Sequence, residues 1–562
     1  MRASFLSWAC YTAVFTAAAS APLGAAKAAE NPVVAVVACD GYADLKKQLG
    51  WVGTQVGNPT LAAFAESFVM MATQFKGLAG LDVSRPLGVV VTADGETPVF
   101  HGYVPVKDLG KLLETLQGTV GPAAKVGDKR TVQVPGGPPL EITEQGGWAI
   151  VTPQGSPAGP ANAEQLISAV SEALSIGVQL FPAAMPEGMR GQVKGMIEQG
   201  AAAAADQGQP LDAAAIAAAF DGLADTEYLL FGLAVDPAKD RLFIENRTVM
   251  LAGTDAAAVW SNAGQTANAI GVPTAANGKP AAIRAHHAQA VPPAARVAIE
   301  ATLAQVLPAG TGDPISDSLF GLLQDLVGAM LDAGALDAGL AIDTSSATTD
   351  QLLPAVTLSA RIKDGPALEK QVKNRLGNEG ALPPQATVRF DAGRQAGANL
   401  HEIEIDLAGV PEADKLGGTL NATLAVTADR AFLLVGGDVA GRLAAAMEAG
   451  GQVDGDSKPL TGVDISVASL LAYAATMTKA ANPDDPAGGV LSDVARDAVG
   501  KPSTLVQLLL RPIERGVAMR LTADAGAVQT IAAAVTAQQK VLLPGGASLP
   551  LPDGPGVPAI AP

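Results

Sequence analysis

The chain has 562 residues, of which 48% are hydrophobic, 16% are charged and 4% are aromatic. Its 55 acidic residues outnumber its 37 basic residues, which gives a net charge of −18. Because binding to nucleic acid depends on cations that neutralise phosphates, this balance argues against a nucleic-acid partner and disfavours anionic membrane surfaces. The scarcity of aromatic side chains argues against a site that stacks sugars or bases.

The N-terminus predicts a signal peptide over residues 1–28. Arg2 gives a positively charged start, Leu6–Ala19 is apolar, and Ala26-Lys27-Ala28 is a small-x-small cleavage site. The apolar run is shorter than the about 20 residues of a spanning helix, although an uncleaved anchor is the alternative. Cleavage removes 2 of the 37 basic residues and no acid, so 35 − 55 gives the mature chain a net charge of −20. We therefore expect a periplasmic or secreted protein without a transmembrane segment in its mature chain.

A first module is predicted over residues 29–268. It opens with a buried strand at Val33–Ala38, a helix that Asp44 caps and an amphipathic helix at Leu61–Phe75. Four further parts follow: a strand–turn–strand–helix unit, an antiparallel meander, a mostly helical stretch, and a hairpin with a closing helix. They lie at residues 81–117, 131–152, 162–225 and 228–267.

A linker rich in Gly and Pro at residues 269–280 leads to a second predicted module at 281–540. Its clearest helix is Ile315–Ala333, where apolar residues recur every three or four positions until Gly334. The other predicted parts are a first strand, a strand–turn–strand–helix unit, a meander and a closing hairpin with a helix. They lie at residues 281–285, 336–375, 387–435 and 505–538. Residues 541–562 form a Gly/Pro-rich tail, and we expect it to be disordered.

The two modules present the same elements in the same order. Their helix entries match closely, as Val106-Lys107-Asp108 and Ile362-Lys363-Asp364. Val463–Thr478 reads as an echo of the strand and helix that open the first module. The sequence therefore predicts an α+β protein of two tandem duplicated modules, each a largely antiparallel sheet covered by amphipathic helices.

An aspartate stands between a strand and a helix at five places. Aspartate at a helix start accepts hydrogen bonds from unpaired backbone N–H groups and meets the positive end of the helix dipole. Capping accounts for these residues better than acid catalysis does. They are Asp108, Asp255, Asp364, Asp438 and Asp524.

One glycine pair resembles a phosphate-binding loop at first sight. Gly436, Gly437 and Gly441 lie between a strand and a helix, but they miss the Gly-x-Gly-x-x-Gly spacing of a nucleotide site, and Asp438 would repel phosphate. We interpret the segment as a tight turn.

Cys39 is the one cysteine that remains after removal of the signal peptide, so the mature chain cannot form an internal disulfide. It follows an apolar run, which favours a buried free thiol at the end of a strand, with intermolecular pairing as the alternative.

Four histidines are the candidate bases of any hydrolase: His101, His286, His287 and His401. The neighbours His286 and His287 lie on a predicted strand, so they point to opposite faces and cannot chelate one ion together. His401 begins a strand on which Glu402, Glu404 and Asp406 share one face. We interpret these acids as a solvated stripe, with Ca²⁺ capture as the alternative.

The chain contains no nucleophile elbow, zinc-protease pair, Walker loop or Cys-x-x-Cys pair. We assign no catalytic, cofactor-binding or metal-binding residue from the sequence, and no cofactor. A triad could still assemble from distant residues, because triads are defined by geometry.

One segment resembles a pattern in uncharacterised exported bacterial proteins. Its residues are Gly80-Leu81-Asp82, Arg85-Pro86 and Pro105-Val106-Lys107-Asp108. The resemblance covers residues 80–116 of the first module. It extends to the second module only in outline, because the Arg-Pro pair is absent there. It implies a structural pattern and no activity.

Three hypotheses about function follow. The favoured one is a non-catalytic, exported binding or envelope-associated protein, with a lipid or other hydrophobic small molecule as the most natural ligand of a groove between sheet and helices. The first alternative is a hydrolase that uses one of the four histidines. The second is a structural assembly subunit that uses exposed sheet edges.

Overall fold

The computed structural model describes residues 31–134, 137–206, 222–263, 270, 281–292, 296–297, 299–301, 314–378, 382, 384–408, 413–449 and 459–542. They form two compact units. Unit 1 comprises the described residues of 1–54, 58–261 and 512–521, and unit 2 those of 55–57, 262–511 and 522–562. Helices and antiparallel sheet occur in both, which confirms the α+β class. The predicted signal peptide, the linker apart from Ile270, and residues 543–562 of the tail lie outside the described residues.

Unit 1 contains the first ten strands. They are β1 (Val33–Cys39), β2 (Leu87–Asp94), β3 (Thr97–Pro105), β4 (Ala123–Val126), β5 (Lys129–Gln133), β6 (Pro139–Gln145), β7 (Trp148–Pro153), β8 (Ile176–Leu180), β9 (Thr226–Asp236) and β10 (Arg241–Met250). Its helices are α1 (Tyr42–Gln55, whose last residue is grouped with unit 2), α2 (Leu61–Ala72), α3 (Leu109–Val120), α4 (Ala163–Ala173), α5 (Glu187–Asp206) and α6 (Asp255–Ala263, whose last two residues are grouped with unit 2).

Neighbouring strands of unit 1 follow the order β4-β5-β6-β7-β3-β2-β1-β8-β9-β10, and every pair is antiparallel. β1 is central because it pairs with β2 on one side and with β8 on the other. Its alternating residues Val36 and Ala38 are fully buried, and they share a core with Ile167 and Val170 of α4. The apolar run that predicted a buried strand therefore lies at the centre of the sheet.

Unit 2 holds eight further complete strands. They are β11 (Ile283–Ala290), β12 (Ala335–Asp343), β13 (Ala355–Arg361), β14 (Ala386–Gln395), β15 (Ala398–Asp406), β16 (Thr419–Val426), β17 (Arg430–Val435) and β18 (Thr461–Ser466). Its helices are α7 (Pro314–Asp332), α8 (Gly365–Leu376), α9 (Val439–Ala449), α10 (Val467–Ala481), α11 (Pro486–Val499) and α12 (Ala525–Leu542). β19 (Leu505–Ile513) and β20 (Gly516–Asp524) form the last hairpin, whose residues 512–521 are grouped with unit 1.

The strands of unit 2 follow the order β14-β15-β16-β17-β13-β12-β11-β18-β19, again antiparallel throughout. This is the order of the first nine strands in unit 1 with each number raised by ten. The core of unit 2 packs Leu326 and Met330 of α7 against Leu368 and Val372 of α8. Leu424 of β16 belongs to the same core.

Two sequence-based expectations differ from the structure. The stretch 162–225, expected to be mostly helical, contains the strand β8. The sequence does not reveal this strand, because Gly177 interrupts the apolar pattern of a strand. Gly177 pairs with Gly232, and the backbones approach so closely that a Cβ added to Gly232 would lie 2.2 Å from the Ile176 carbonyl oxygen. The segment Val463–Thr478 does not echo β1 and α1, because β18 takes the place of β8. The strand that occupies the place of β1 is β11.

Three of the five expected aspartate caps are present. Asp108, Asp364 and Asp438 accept hydrogen bonds from backbone N–H groups three residues ahead, at 3.0, 3.0 and 3.2 Å. The other two aspartates do not act in this way. The Thr254 hydroxyl accepts the equivalent bond at the start of α6, and the Asp524 carboxylate accepts the hydroxyl of Ser503. A neighbouring hydroxyl competes at both positions, and sequence spacing does not show it.

Candidate functional site

The most unusual surface of the described residues is one face of α2. The side chains of Phe64, Phe68 and Met71 are 72%, 63% and 61% exposed, and Phe75, just past the helix, is 75% exposed. Single exposed apolar residues are common on proteins, but a contiguous group of this size is a feature of interaction sites. We call these four residues the α2 apolar face.

The opposite face of α2 packs antiparallel on α1. Glu66 forms an ion pair with Lys46 at 2.8 Å, and the small residues Gly50 and Gly53 of α1 let α2 approach closely. A Cβ added to Gly53 would lie 3.0 Å from the Leu61 Cβ. Packing on α1 therefore holds α2 in place without using its apolar face.

The end of α2 has an uncommon backbone. Thr73 is buried, its hydroxyl donates to the Val69 carbonyl at 2.8 Å, and it accepts the Gly77 N–H at 3.1 Å. The next two residues, Gln74 and Phe75, have φ angles of 51° and 64°. Bulky side chains rarely adopt this left-handed region, and such outliers cluster at functional sites. The chain thus holds an exposed phenylalanine in a conformation that glycine would adopt more easily.

Charge is nearly absent from α2. Glu66 is its one ionisable residue, and Lys46 already pairs with it on the side away from the apolar face. Helices that lie in a membrane interface favour Lys and Arg on their polar side, and α2 has neither. The spacing of its apolar residues predicts an amphipathic helix. The structure shows apolar residues on both faces, and the near absence of charge in the sequence already indicates this.

A second cluster surrounds His401 in unit 2. Ligand atoms of Glu369, Asp391 and His401 lie within 4.8 Å of one another, a combination that can hold a metal ion. However, the Lys373 ammonium lies between the acids, 2.8 Å from an Asp391 oxygen and 4.0 Å from a Glu369 oxygen. The Asn399 amide also donates to Asp391, at 2.6 Å.

The imidazole of His401 is oriented for hydrogen bonding rather than for ligation. Its Nδ1 accepts the backbone N–H of Asp391 at 3.1 Å, which places the proton of the neutral ring on Nε2. That Nε2 is buried and lies 3.9 Å from a Glu369 oxygen. Asp391 has a φ of 52° at an irregularity of β14, where the β14–β15 register shifts. The cluster therefore stabilises this irregularity, and the ammonium of Lys373 supplies the positive charge that a metal would bring.

The other three histidines also lie on strands. His101 is fully buried, with its Nε2 3.0 Å from the Thr92 hydroxyl, and burial lowers its pKa. In unit 2, Nδ1 of His287 lies 2.8 Å from the Thr461 hydroxyl. Burial lowers the pKa of His286 and His287 as well, and for His287 the buried carboxylate of Asp337 partly opposes this effect.

The remaining candidates have structural surroundings. Glu402, Glu404 and Asp406 alternate with buried Ile403 and Ile405, and Glu402 forms an ion pair with an arginine of β14, as a solvated stripe predicts. The cysteine at the end of β1 is half-buried, and burial raises its pKa to about 11, so its thiol is a poor nucleophile at neutral pH.

The glycine pair after β17 forms the expected turn. Gly436 has a φ of 88°, and the buried guanidinium of Arg442 donates to the carbonyls of Gly436 and Gly437 at 2.9 and 3.0 Å. A phosphate site needs N–H groups that point into the loop. Here the arginine ties down the carbonyl groups instead.

No protein-family model matches this chain, and no curated protein or solved structure is significantly similar to it. The resemblance of residues 80–116 to exported bacterial proteins stays a prediction. Within the described residues, no helix is long and apolar enough to cross a membrane. The α2 apolar face is therefore the candidate functional site on physical grounds alone.

Proposed function

We propose that this protein is an exported, non-catalytic interaction protein whose binding surface is the α2 apolar face. The observation that carries the proposal is the exposure of Phe64, Phe68, Met71 and Phe75 together. Fully buried Phe or Met side chains each contribute about 1.5–3 kcal/mol relative to exposed ones, so leaving four of them in water forgoes a large stabilisation. A partner that covers them recovers it.

The size of the face supports a binding role. With side chains of this size exposed by about two thirds, it presents roughly 500 Å² of apolar surface, comparable with the largest patch on a typical monomer. A small molecule is a poor fit, because small-molecule sites are concave, whereas one side of a peripheral helix is convex. The absence of cations on α2 disfavours an anionic bilayer. A protein surface, such as one in the cell envelope, fits best.

The duplicated architecture is part of this proposal. The same strand order in both units supports a duplicated module, and packing of α4 on the unit 1 sheet and of α7 and α8 in unit 2 supports helices that cover each sheet. Export is supported by the predicted signal peptide over residues 1–28. A duplicated fold frees one copy to acquire a binding surface while the other keeps the ancestral packing.

The test is native mass spectrometry of the mature protein, purified gently from its own compartment. The matched variants are Phe64→Gln with Phe68→Gln, and the control is Val126→Gln, because Val126 of unit 1 is also 64% exposed. We expect a bound partner for the wild type and for the control, and its loss from the double variant. Equal binding by all three proteins contradicts the proposal, as does a wild type without any partner.

A hydrolase remains the second candidate, and the His287–Thr461 pair is the observation that favours it. A neutral imidazole 2.8 Å from a hydroxyl, influenced by the buried Asp337, has the composition of an activated nucleophile. A cross-strand hydrogen bond between β11 and β18 explains the same geometry without catalysis. If an ester-hydrolysing activity is found, His287→Ala and Thr461→Val must both abolish it for this function to stand.

A further inference from the structure

The α2 apolar face has the spacing of a helix–helix seam. Phe64, Phe68 and Met71 of α2 are separated by four and three residues, an average of 3.5, and Phe75 follows just past the helix end. This alternation is the a/d pattern through which one α-helix packs against another. Leu61, three residues before Phe64, lies against Gly53 of α1 and is not part of this face. The natural partner of such a face is another helix of the same kind.

We propose that two copies of this chain associate through α2, packed on each other about a two-fold axis. The inference rests on the proposed function, because it names the partner of the same surface. A two-fold contact uses one patch twice, so it requires a self-complementary surface. A row of apolar side chains without ionised groups meets this requirement, since its one helix carboxylate, Glu66, is held by Lys46 on the other side.

The apolar area available to the dimer is small. Roughly 500 Å² from each copy gives a total near 1,000 Å², the lower limit for a specific interface. We therefore expect a reversible dimer, populated at micromolar or higher concentration rather than permanently.

The negative charge of each copy predicts how dimerisation depends on salt. Each mature copy carries an excess of negative charge, so two copies repel each other over the whole surface, while the contact itself is apolar. Added salt screens this repulsion and leaves the apolar contact intact. Dimerisation must therefore strengthen as ionic strength rises, which is the opposite of an interface held by ion pairs.

The experiment is size-exclusion chromatography with light scattering on the purified mature protein, over concentrations from about 1 to 100 μM. We expect the mass to rise toward twice that of one chain and to rise further in salt. The double variant Phe64→Gln, Phe68→Gln should remain at the mass of one chain, and Val126→Gln should behave as the wild type. Circular dichroism and thermal unfolding establish that each variant is folded.

A second variant keeps the inference testable if the first fails to fold. Ser67 is exposed beside the apolar face, so Ser67→Glu places like charges near each other in the dimer without touching the core, and should abolish the mass increase. A wild type that stays a single chain, but sediments with phosphatidylcholine vesicles through the α2 apolar face, overturns the dimer and leaves the proposed function standing. A single chain that binds neither vesicles nor any partner overturns both.

Discussion

The helices α2 of unit 1 and α7 of unit 2 occupy equivalent places, because each is the last helix before the second strand of its sheet. They differ in whether an apolar face is buried or exposed to solvent. α7 buries Leu326, Met330 and Leu331. α2 leaves Phe64 and Phe68 in solvent. The difference shows that a peripheral helix with apolar residues on both faces can be fixed by one of them, which leaves the other available for a partner.

The contacts of α7 explain why its apolar face is buried. It packs on α8 and the adjoining strands, and Arg375 of α8 forms two charge-assisted hydrogen bonds to Asp325, at 2.6 and 2.7 Å. Gly321 makes room for this arginine, since a Cβ there would lie 2.4 Å from its guanidinium. α2 instead packs on α1, through glycines and one ion pair. The position in the topology is the same, but the neighbouring helix decides which face is covered.

The largest expected effect is a stability contrast between these helices. Leu326→Ala opens a cavity in the core of unit 2 and should lower the free energy of unfolding by about 2–5 kcal/mol. Phe68→Ala removes a larger side chain but should change it by less than about 0.5 kcal/mol, because that side chain is exposed. Urea unfolding followed by circular dichroism measures both. A large loss for Phe68→Ala would mean that α2 stabilises the fold through this face.

The second prediction concerns acid. Burial lowers the pKa of His101 in unit 1 and of His286, His287 and His401 in unit 2. Each of these histidines therefore binds a proton more readily in the unfolded chain than in the folded one. Their contribution to the free energy of unfolding is present above pH 6.5 and is lost as the pH falls below that value. Three of these four histidines lie in unit 2, so the loss of stability on acidification should be larger there than in unit 1.

Tryptophan fluorescence separates the two units in this measurement. Trp51, Trp148 and Trp260 all belong to unit 1, whereas circular dichroism reports both units. Between pH 7.5 and pH 6 we expect the circular dichroism transition to move more than the fluorescence transition. An equal shift of the two signals contradicts the unequal distribution of buried imidazoles.

The smallest expected effect is a gain. Phe75→Gly relieves a left-handed backbone at φ 64° and should raise the free energy of unfolding by about 1 kcal/mol, since that conformation costs an L-residue about 1–2 kcal/mol. The same substitution removes one side chain of the α2 apolar face and should weaken dimerisation. Thermal unfolding and light scattering on one sample check both. A destabilised Phe75→Gly would show that the phenylalanine is retained for folding.

Much of the fold follows from sequence spacing, and the unpredicted parts have physical causes. Glycine pairs predict the hairpins of the first meander, a continuous apolar run predicts the strand β1, and periodic apolar spacing predicts the helix α7. The sequence does not predict β8, because the close approach of Gly177 to Gly232 requires a glycine where a strand pattern needs an apolar residue. The cluster at His401 contains residues from α8, β14 and β15, which are distant in the sequence. A local sequence pattern therefore does not predict that they lie close together. The exposure of α2 depends on which helix lies beside it, which spacing alone does not specify.

The most direct test of the α2 apolar face is photo-crosslinking in the producing cell, with a benzoyl-phenylalanine at position 68 and, as control, at position 126. We expect position 68 to yield one discrete product, with the mass of two chains if the dimer forms, and position 126 to yield none. Phe64→Gln in the same chain should reduce that product. Equal products from both positions, or none from position 68, would contradict the account that this face exists for a partner.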